Sequence, residues 1–307
     1  MLSAVLAVAL SAAPAPTHNV IFLTWDGVRW QDFFNQGEGA AFPRFWLKHA
    51  AHATVLGDPA VGEPFEASNS SLKSLPAYQE MMVGAATACD SNFCGRVKEQ
   101  TLLDRLDALG LASKTRVFGS WGTLGFATSS RVLPFVDVGL HEGESRPPWY
   151  DARKDRATWA KAMAALEEQP RFLWISLNDS DEWAHRGSRD NYLHQMQRYD
   201  IWLDELVAKL GTMSGYGENT TIVVTTDHGR GDGDDWSEHG SKYPGARRAF
   251  AFALGPLTGK DREVAKQGGN HRGIRATIEA LLGLTPTGAP LAAFLPPSSS
   301  VGVQARP

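Results

Sequence analysis

Two short stretches set carboxylates beside imidazoles: DSDEWAH, Asp179 to His185, and TTDHG, Thr225 to Gly229. Carboxylate oxygens and imidazole nitrogens together form the donor set of zinc and similar divalent ions. Asp181 and His185 are four apart, so a helical turn points both side chains the same way. Asp227 and His228 are adjacent and converge only if a tight loop turns both toward one point. Each pair alone also has an ordinary reading, as a chance surface spacing or a turn that closes a strand. Asp26, alone, reads as a helix N-cap. A hydrolytic metal site also benefits from a nucleophile, and SNSSLKSLPAYQEMMVGA, Ser68 to Ala85, offers several hydroxyls ahead of a helix-like run. Ser74 stands two residues before Pro76, a residue suited to the first turn of a helix. A serine there either caps the helix or sits where backbone N–H groups attract an anion such as phosphate. Lys73 adds a positive charge next to it, although a lone lysine is ordinarily solvated.

The elements around these residues explain why they would meet. NVIFLTW (19–25), TRVFGSW (115–121), RFLWISL (171–177), TTIVVTT (220–226) and AFAFALG (249–255) are apolar runs of strand length, rich in branched and aromatic residues. Between them lie helix-length segments at 101–110, 158–168, 190–211 and 275–284. In the third, Leu193, Met196, Leu203, Leu206 and Leu210 share one face, and Gly211 ends it. This alternation predicts an α/β three-layer sandwich with a largely parallel central sheet. Ligands of such folds gather beyond the carboxyl ends of the strands. Asp26 follows the first run, Asn178, Asp179, Asp181 and His185 follow RFLWISL, and Asp227 and His228 follow TTIVVTT. Carboxylates and imidazoles at three strand ends are hard to ascribe to turn-making, which favours Gly, Asn and Pro.

The 307 residues suffice for a substantial core, and the apolar and charged fractions are those of a folded globular chain. A net charge of −4, with no basic run or aromatic–basic stripe, argues against specific nucleic-acid binding. The first residues, MLSAVLAVALSAAPAPTHN, suit a secretory leader over 1–13, with small residues at Leu10-Ser11-Ala12 near a cleavage point. The leader lacks a Lys or Arg ahead of its apolar run. No later segment is long and apolar enough to span a membrane. Together these features predict an exported protein, periplasmic or secreted. The two cysteines, Cys89 and Cys94, are close enough for a small disulfide loop in an oxidising compartment and too few for a zinc site of their own. The expected organisation is a single catalytic domain over 18–290 and a loose tail over 291–307.

Taken together, the set resembles the alkaline phosphatase superfamily, in its nucleotide pyrophosphatase/phosphodiesterase-like branch. The matching pieces run in family order: VIFLTWDGV, KSLPAYQEMMVG, DSDEWAH, VVTTDHG, and a last histidine in SEHGSKYPGARRAFAFALGP. Asp-His-Gly alone is a weak motif, whereas four pieces in order after strands are specific. The resemblance spans about Asn19 to Leu284 and implies an alkaline-phosphatase-like fold with two divalent ions, zinc first and manganese second. Asp181, His185 and His239 would hold one ion; Asp26, Asp227 and His228 would hold the other, with Ser74 as its hydroxyl ligand. It further implies that Ser74 attacks phosphorus and passes through a phosphoseryl intermediate, the ions assisting the attacking and leaving oxygens. Asn92 resembles the phosphate-oxygen donor of the family, and a Cys89–Cys94 bond would pin its loop.

The chain departs from the family in places. Ser74 stands where the phosphodiesterase branch commonly has threonine, and Ala77-Tyr78 stands where Asn-His is usual. The sulfatase pattern requires an arginine two after the proline, which is absent after Pro76, so sulfate esters are disfavoured. His271 competes with His239 as the last ligand, and His239 is the better match. The expected activity is therefore hydrolysis of a small phosphate ester, a diester or pyrophosphate before a monoester. A phosphomutase of the same superfamily and a catalytically inactive extracytoplasmic binding protein are the alternatives.

Overall fold

The computed structural model describes residues 18–139, 152–258 and 266–296, so the expected leader at 1–13 lies outside the described residues. The strands are β1 (Asn19–Trp25), β2 (Ala53–Leu56), β3 (Phe65–Glu66), β4 (Thr115–Gly119), β5 (Val136–Val138), β6 (Phe172–Leu177), β7 (Thr220–Thr225), β8 (Arg248–Ala249), β9 (Ala251–Leu254) and β10 (Gly269–Asn270). The main sheet has the order β2-β9-β7-β1-β6-β4-β5, and β10-β3-β8 form a small second sheet. Parallel pairing runs from β7 through β1, β6 and β4 to β5, while β9 is antiparallel to both its neighbours.

Period-two burial explains the layers. Val20 and Phe22 of β1, with Phe172 and Trp174 of β6, face one apolar cluster; Ile21, Leu23, Trp25, Leu173, Ile175 and Leu177 face the other. Both faces are covered, which is why these strands read as unbroken apolar runs. The helices are α1 (Trp30–Phe34), α2 (Ser74–Val83), α3 (Leu102–Ala108), α4 (Gly125–Thr128), α5 (Asp155–Leu166), α6 (Asp179–His185), α7 (Arg189–Gly211) and α8 (Gly273–Leu281). Residues of α2, α3, α4 and α8 pack in the first cluster, and residues of α1, α5 and α7 in the second. The result is the expected three-layer α/β sandwich with a mostly parallel sheet.

Three expectations change in detail. The run AFAFALG is not one strand: it divides at Phe250, β8 joining the small sheet and β9 the main one. Phe250 is fully buried against Phe33, with ring centroids 4.0 Å apart, and its carbonyl accepts a hydrogen bond from Thr225 Oγ1 at 2.7 Å instead of a ladder bond. On α7, Met196, Leu203, Leu206 and Leu210 are buried as expected, but Tyr192 and Tyr199 take inward places and Leu193 is only partly covered. At the far end, Leu291, Ala293 and Phe294 are buried, so packing continues past 290 to 294, into the stretch expected as tail.

A buried ion cluster fastens the first helical layer. Glu279 of α8 accepts from Arg275 Nε at 2.9 Å and from Thr287 N–H at 2.6 Å, and pairs with Arg105 of α3 at 2.8 Å. Burial alone would raise the pKa of Glu279, but the hydrogen bonds from Arg105 and Thr287 outweigh it and leave the group below its ordinary range. A depressed folded pKa stabilises above the unfolded value and loses that contribution as pH falls through the folded value. Glu279→Gln should therefore destabilise the protein at neutral pH, by roughly 1–3 kcal/mol. The gap between variant and wild type, followed by urea unfolding, should shrink as pH is lowered from 6 to below about 4.

Candidate active site

Because β1 lies between β6 and β7, the carboxyl ends of three neighbouring parallel strands open onto one place. Asp26 leaves β1, α6 with Asp181 and His185 follows β6, and Asp227 and His228 leave β7. His239 comes from the loop after β7. Asp181, His185 and His239 bring one ligand atom each to within 4.8 Å of one another, and Asp26, Asp227 and His228 do the same. The groups adjoin: the His228 and His239 rings stack with centroids 4.0 Å apart, and His185 meets His239 edge-on at 5.0 Å.

Most of these side chains have one atom tied to the protein and another turned inward. Tyr78 O–H donates to Asp26 Oδ2 at 3.0 Å, leaving Oδ1 toward Ser74 and His228. Gly27 N–H donates to Asp227 Oδ1 at 2.9 Å, and Oδ2, fully buried, takes no hydrogen bond. Arg230 donates to Asp181 Oδ1, while Oδ2 lies 3.1 Å from His185 Nε2. His228 Nδ1 donates to Gly229 O at 2.9 Å and His239 Nδ1 to Leu72 O at 3.0 Å, so both Nε2 atoms carry lone pairs. His239 Nε2 then faces His185 Nε2 at 3.2 Å.

The electrostatics fit cations. Burial, then Asp227 and Asp181, push the pKa of Asp26 well above the carboxylate range; burial brings Asp227 to about 7. Burial also drives His228 well down, and His239 down, so both are neutral imidazoles. Asp181 behaves oppositely: burial would raise it, but Arg230 and then His185 hold it well below the usual range. His185 is raised, chiefly by Asp181. An unpartnered buried carboxylate oxygen, three crowded aspartates and inward imidazole lone pairs are a donor set suited to divalent ions of the zinc type.

Ser74 is the first residue of α2 and is 4% exposed. Its hydroxyl does not cap the helix; it lies 3.3 Å from both Asp26 Oδ1 and His228 Nε2. The capping is done from outside, by Asn92 Oδ1, which accepts from Leu75 N–H at 3.0 Å. Cys89 and Cys94 form a disulfide around that asparagine. Lys73 occupies the N-cap position beside Ser74 and makes no ion pair among the described residues. Ahead of it, Leu72 is held at φ 52°, in the left-handed region, and its carbonyl is the one that receives His239.

Three neighbours have no signature of their own in the sequence. Tyr78 reads as a core aromatic, and Arg230, inside RGDGDD, reads as a solvated loop charge, yet both are fully buried. Asp155 at the start of α5 is the third: it accepts from the N–H groups of Asn178 and Asp179 at 2.8 Å and so fixes the start of α6. Fold-specific proximity alone reveals them. His271, the competitor of His239 as last ligand, stands outside both ligand groups. It is fully buried, donates from Nε2 to Thr226 O at 2.8 Å, and burial lowers its pKa to about 3.

Comparison with known proteins bears on the family and the fold. The family model for type I phosphodiesterase / nucleotide pyrophosphatase matches residues 85–252, just over half of the chain, a span that holds Asp181 to His239 but not Asp26 or Ser74. A GPI ethanolamine phosphate transferase 1 from Homo sapiens is 29% identical over 115 residues, which cover 35% of this chain and only 12% of that relative. Among solved structures, a 2-O GAG sulfatase superposes with a TM-score of 0.63 at 13% identity, covering 90% of this chain and 73% of its own. The C-terminal periplasmic domain of EcEptC from Escherichia coli, in complex with Zn, superposes with a TM-score of 0.60 at 11% identity, covering 92% and 87%. At such identities the likeness is one of fold. The chain belongs to the type I phosphodiesterase / nucleotide pyrophosphatase family and has an alkaline-phosphatase-like fold.

Proposed function

We propose that the protein is an exported phosphoric-ester hydrolase that works by two displacements through a phosphoserine on Ser74. The observation that carries this reading is the hydroxyl itself, buried at a helix N-terminus and 3.3 Å from an aspartate and a histidine of one ligand group. Asp26, Asp227 and His228 would hold one divalent ion with Ser74, and Asp181, His185 and His239 a second, zinc before manganese. Such ions lower the pKa of a bound hydroxyl and offset charge on the entering and departing oxygens.

The chain's own groups do the rest. In the first displacement a bond forms between Ser74 Oγ and phosphorus, the bond to the leaving oxygen breaks, and the departing alcohol carries away one proton. Water then attacks the phosphoserine: its oxygen bonds to phosphorus, the bond from phosphorus to Ser74 Oγ breaks, one water proton restores the Ser74 hydroxyl, and the phosphate product leaves carrying the water oxygen. Asn92, its carbonyl committed to Leu75, has its NH₂ group left to donate to a phosphoryl oxygen. Lys73 and the positive end of the α2 dipole favour the anion in the same place. Tyr78, kept protonated by burial and by Asp227 and Asp26, serves as a donor and not as a base. Sulfate esters remain disfavoured, because Tyr78 stands where the sulfatase pattern has arginine.

A second reading has specific support in the similarity to an ethanolamine phosphate transferase: the phosphoserine would pass its group to an alcohol instead of water. The chemistry at Ser74 is the same, and only the second acceptor differs. No helix among the described residues is long and apolar enough to cross a membrane. Export accords with the Cys89–Cys94 disulfide and with the leader-like first residues.

The zinc-loaded protein should hydrolyse a chromogenic phosphodiester faster than the monoester, and leave the sulfate ester intact. Ser74→Ala should lower kcat/KM by at least about a thousand-fold, and full activity in that variant would remove Ser74 from the mechanism. Supplying ethanolamine or glycerol and analysing products separates the readings, because a transferase yields the new diester at the expense of hydrolysis. Metal analysis after dialysis should give two ions per chain. Asp227→Asn and His239→Ala should each lose one, and chelation should abolish turnover reversibly; an active metal-free protein would overturn the two-ion assignment.

A further inference from the structure

Arg230 is the one described cation that Asp181 engages through its guanidinium, and nothing about its sequence setting marks it. It is fully buried, and its three nitrogens serve three segments. Nε donates to Gly27 O at 2.9 Å, beside Asp26; Nη1 donates to Ser237 O, two residues before His239; Nη2 donates to Asp181 Oδ1. Arg230 itself follows Asp227 by three residues and His228 by two. One planar group thus spans the segments delivering ligands of both groups.

The local backbone is shaped around it. Gly27 has φ +63°, and a Cβ there would lie 2.6 Å from both Arg230 Nη2 and Asp181 Oδ1. Only a residue without a side chain lets the guanidinium and the carboxylate meet over that turn. Its planar fork has directed donors on all three nitrogens, which a lysine ammonium cannot reproduce at three diverging acceptors.

We propose that Arg230 is a positioning residue that sets how Asp181 presents itself to the His185–His239 pair. By taking Oδ1, the guanidinium leaves Oδ2 as the atom facing His185 Nε2, and so makes Asp181 a one-oxygen ligand. By holding Ser237 O, it also fixes the approach of His239. The group of Asp26, Asp227 and His228 is less dependent on it, because Tyr78 and Gly27 N–H orient those carboxylates. Loss of Arg230 should therefore weaken one ion site selectively. This inference rests on the two-ion reading above.

Calorimetric titration of chelator-stripped protein with zinc tests it without any substrate. Wild type should bind two ions. Arg230→Lys and Arg230→Met should keep one affinity and lower the other by about 10–100-fold, the usual penalty for losing a partner that orients a metal ligand. His239→Ala, measured alongside, identifies which affinity belongs to the Asp181 group. Two unaltered affinities in the variants would overturn the role of Arg230, as would an equal weakening of both or a failure of both variants to fold. A wild type binding fewer than two ions would instead overturn the two-ion reading itself, so the failures are distinguishable.

Discussion

The site depends on a simple constraint: a carboxylate has two oxygens and an imidazole two nitrogens, and the fold must decide which one faces inward. Backbone atoms make several of the choices, Gly27 N–H for Asp227, Gly229 O for His228 and Leu72 O for His239. Side chains make two more, Tyr78 for Asp26 and Arg230 for Asp181. Each partner is itself buried or belongs to a turn packed on the sheet. Geometry at the site is therefore inherited from the relative placement of β1, β6 and β7 rather than from flexible side chains settling around a ligand. This is preorganisation in the ordinary sense, with rotamers locked before anything binds.

The same arrangement makes the site costly to charge. Asp26 and Asp227 are buried close together, and burial is the leading reason that both hold protons more tightly than a free carboxylate. Arg230 relieves Asp181 chiefly and Asp26 to a lesser degree, and removing one partner of a buried ion pair costs about 3–5 kcal/mol. Fold stability and the site's appetite for cations are thus opposed: the negative charge that would bind divalent ions is what burial alone tolerates poorly. Tyr78 contributes on the tolerant side, donating to Asp26 in a place where the branch commonly carries histidine.

What the sequence disclosed follows from the range of each interaction. The limits of β1 at Asn19 and Trp25 were readable because apolar length and a following Asp-Gly turn are local signals. Asp26, Asp227 and His228 were readable as candidate ligands because they stand within a few residues of such strand ends, where an imidazole has little structural excuse. β2 and the break at Phe250 were not, since they depend on which strand lies alongside and on a carbonyl turning to Thr225. Arg230, Tyr78 and Asp155 escaped for the same reason. Their partners are tens to two hundred residues away in the chain, and an arginine among glycines and aspartates carries no mark of burial. His271 shows the converse, a conspicuous histidine whose role is to hold Thr226 O from beneath.

Leu72 joins these threads. A branched-chain residue at φ 52° is strained by about 1–3 kcal/mol, and such strain persists only where the surroundings over-determine it. Here they do: the side chain is buried with Ala67 and Ala246, and Asn69 Oδ1 accepts from Lys73 N–H at 3.2 Å, fixing the turn from the other side. The left-handed step turns the chain into α2 and at the same time presents the Leu72 carbonyl to His239 Nδ1. Ser74 adjoins one candidate ligand group and His239 is part of the other, so this one carbonyl links the segment of Ser74 to the second group. A glycine at 72 would remove the strain and surrender the packing that holds the carbonyl in place. The bulky residue in an unfavourable conformation is thus the arrangement that keeps the two halves of the site in register.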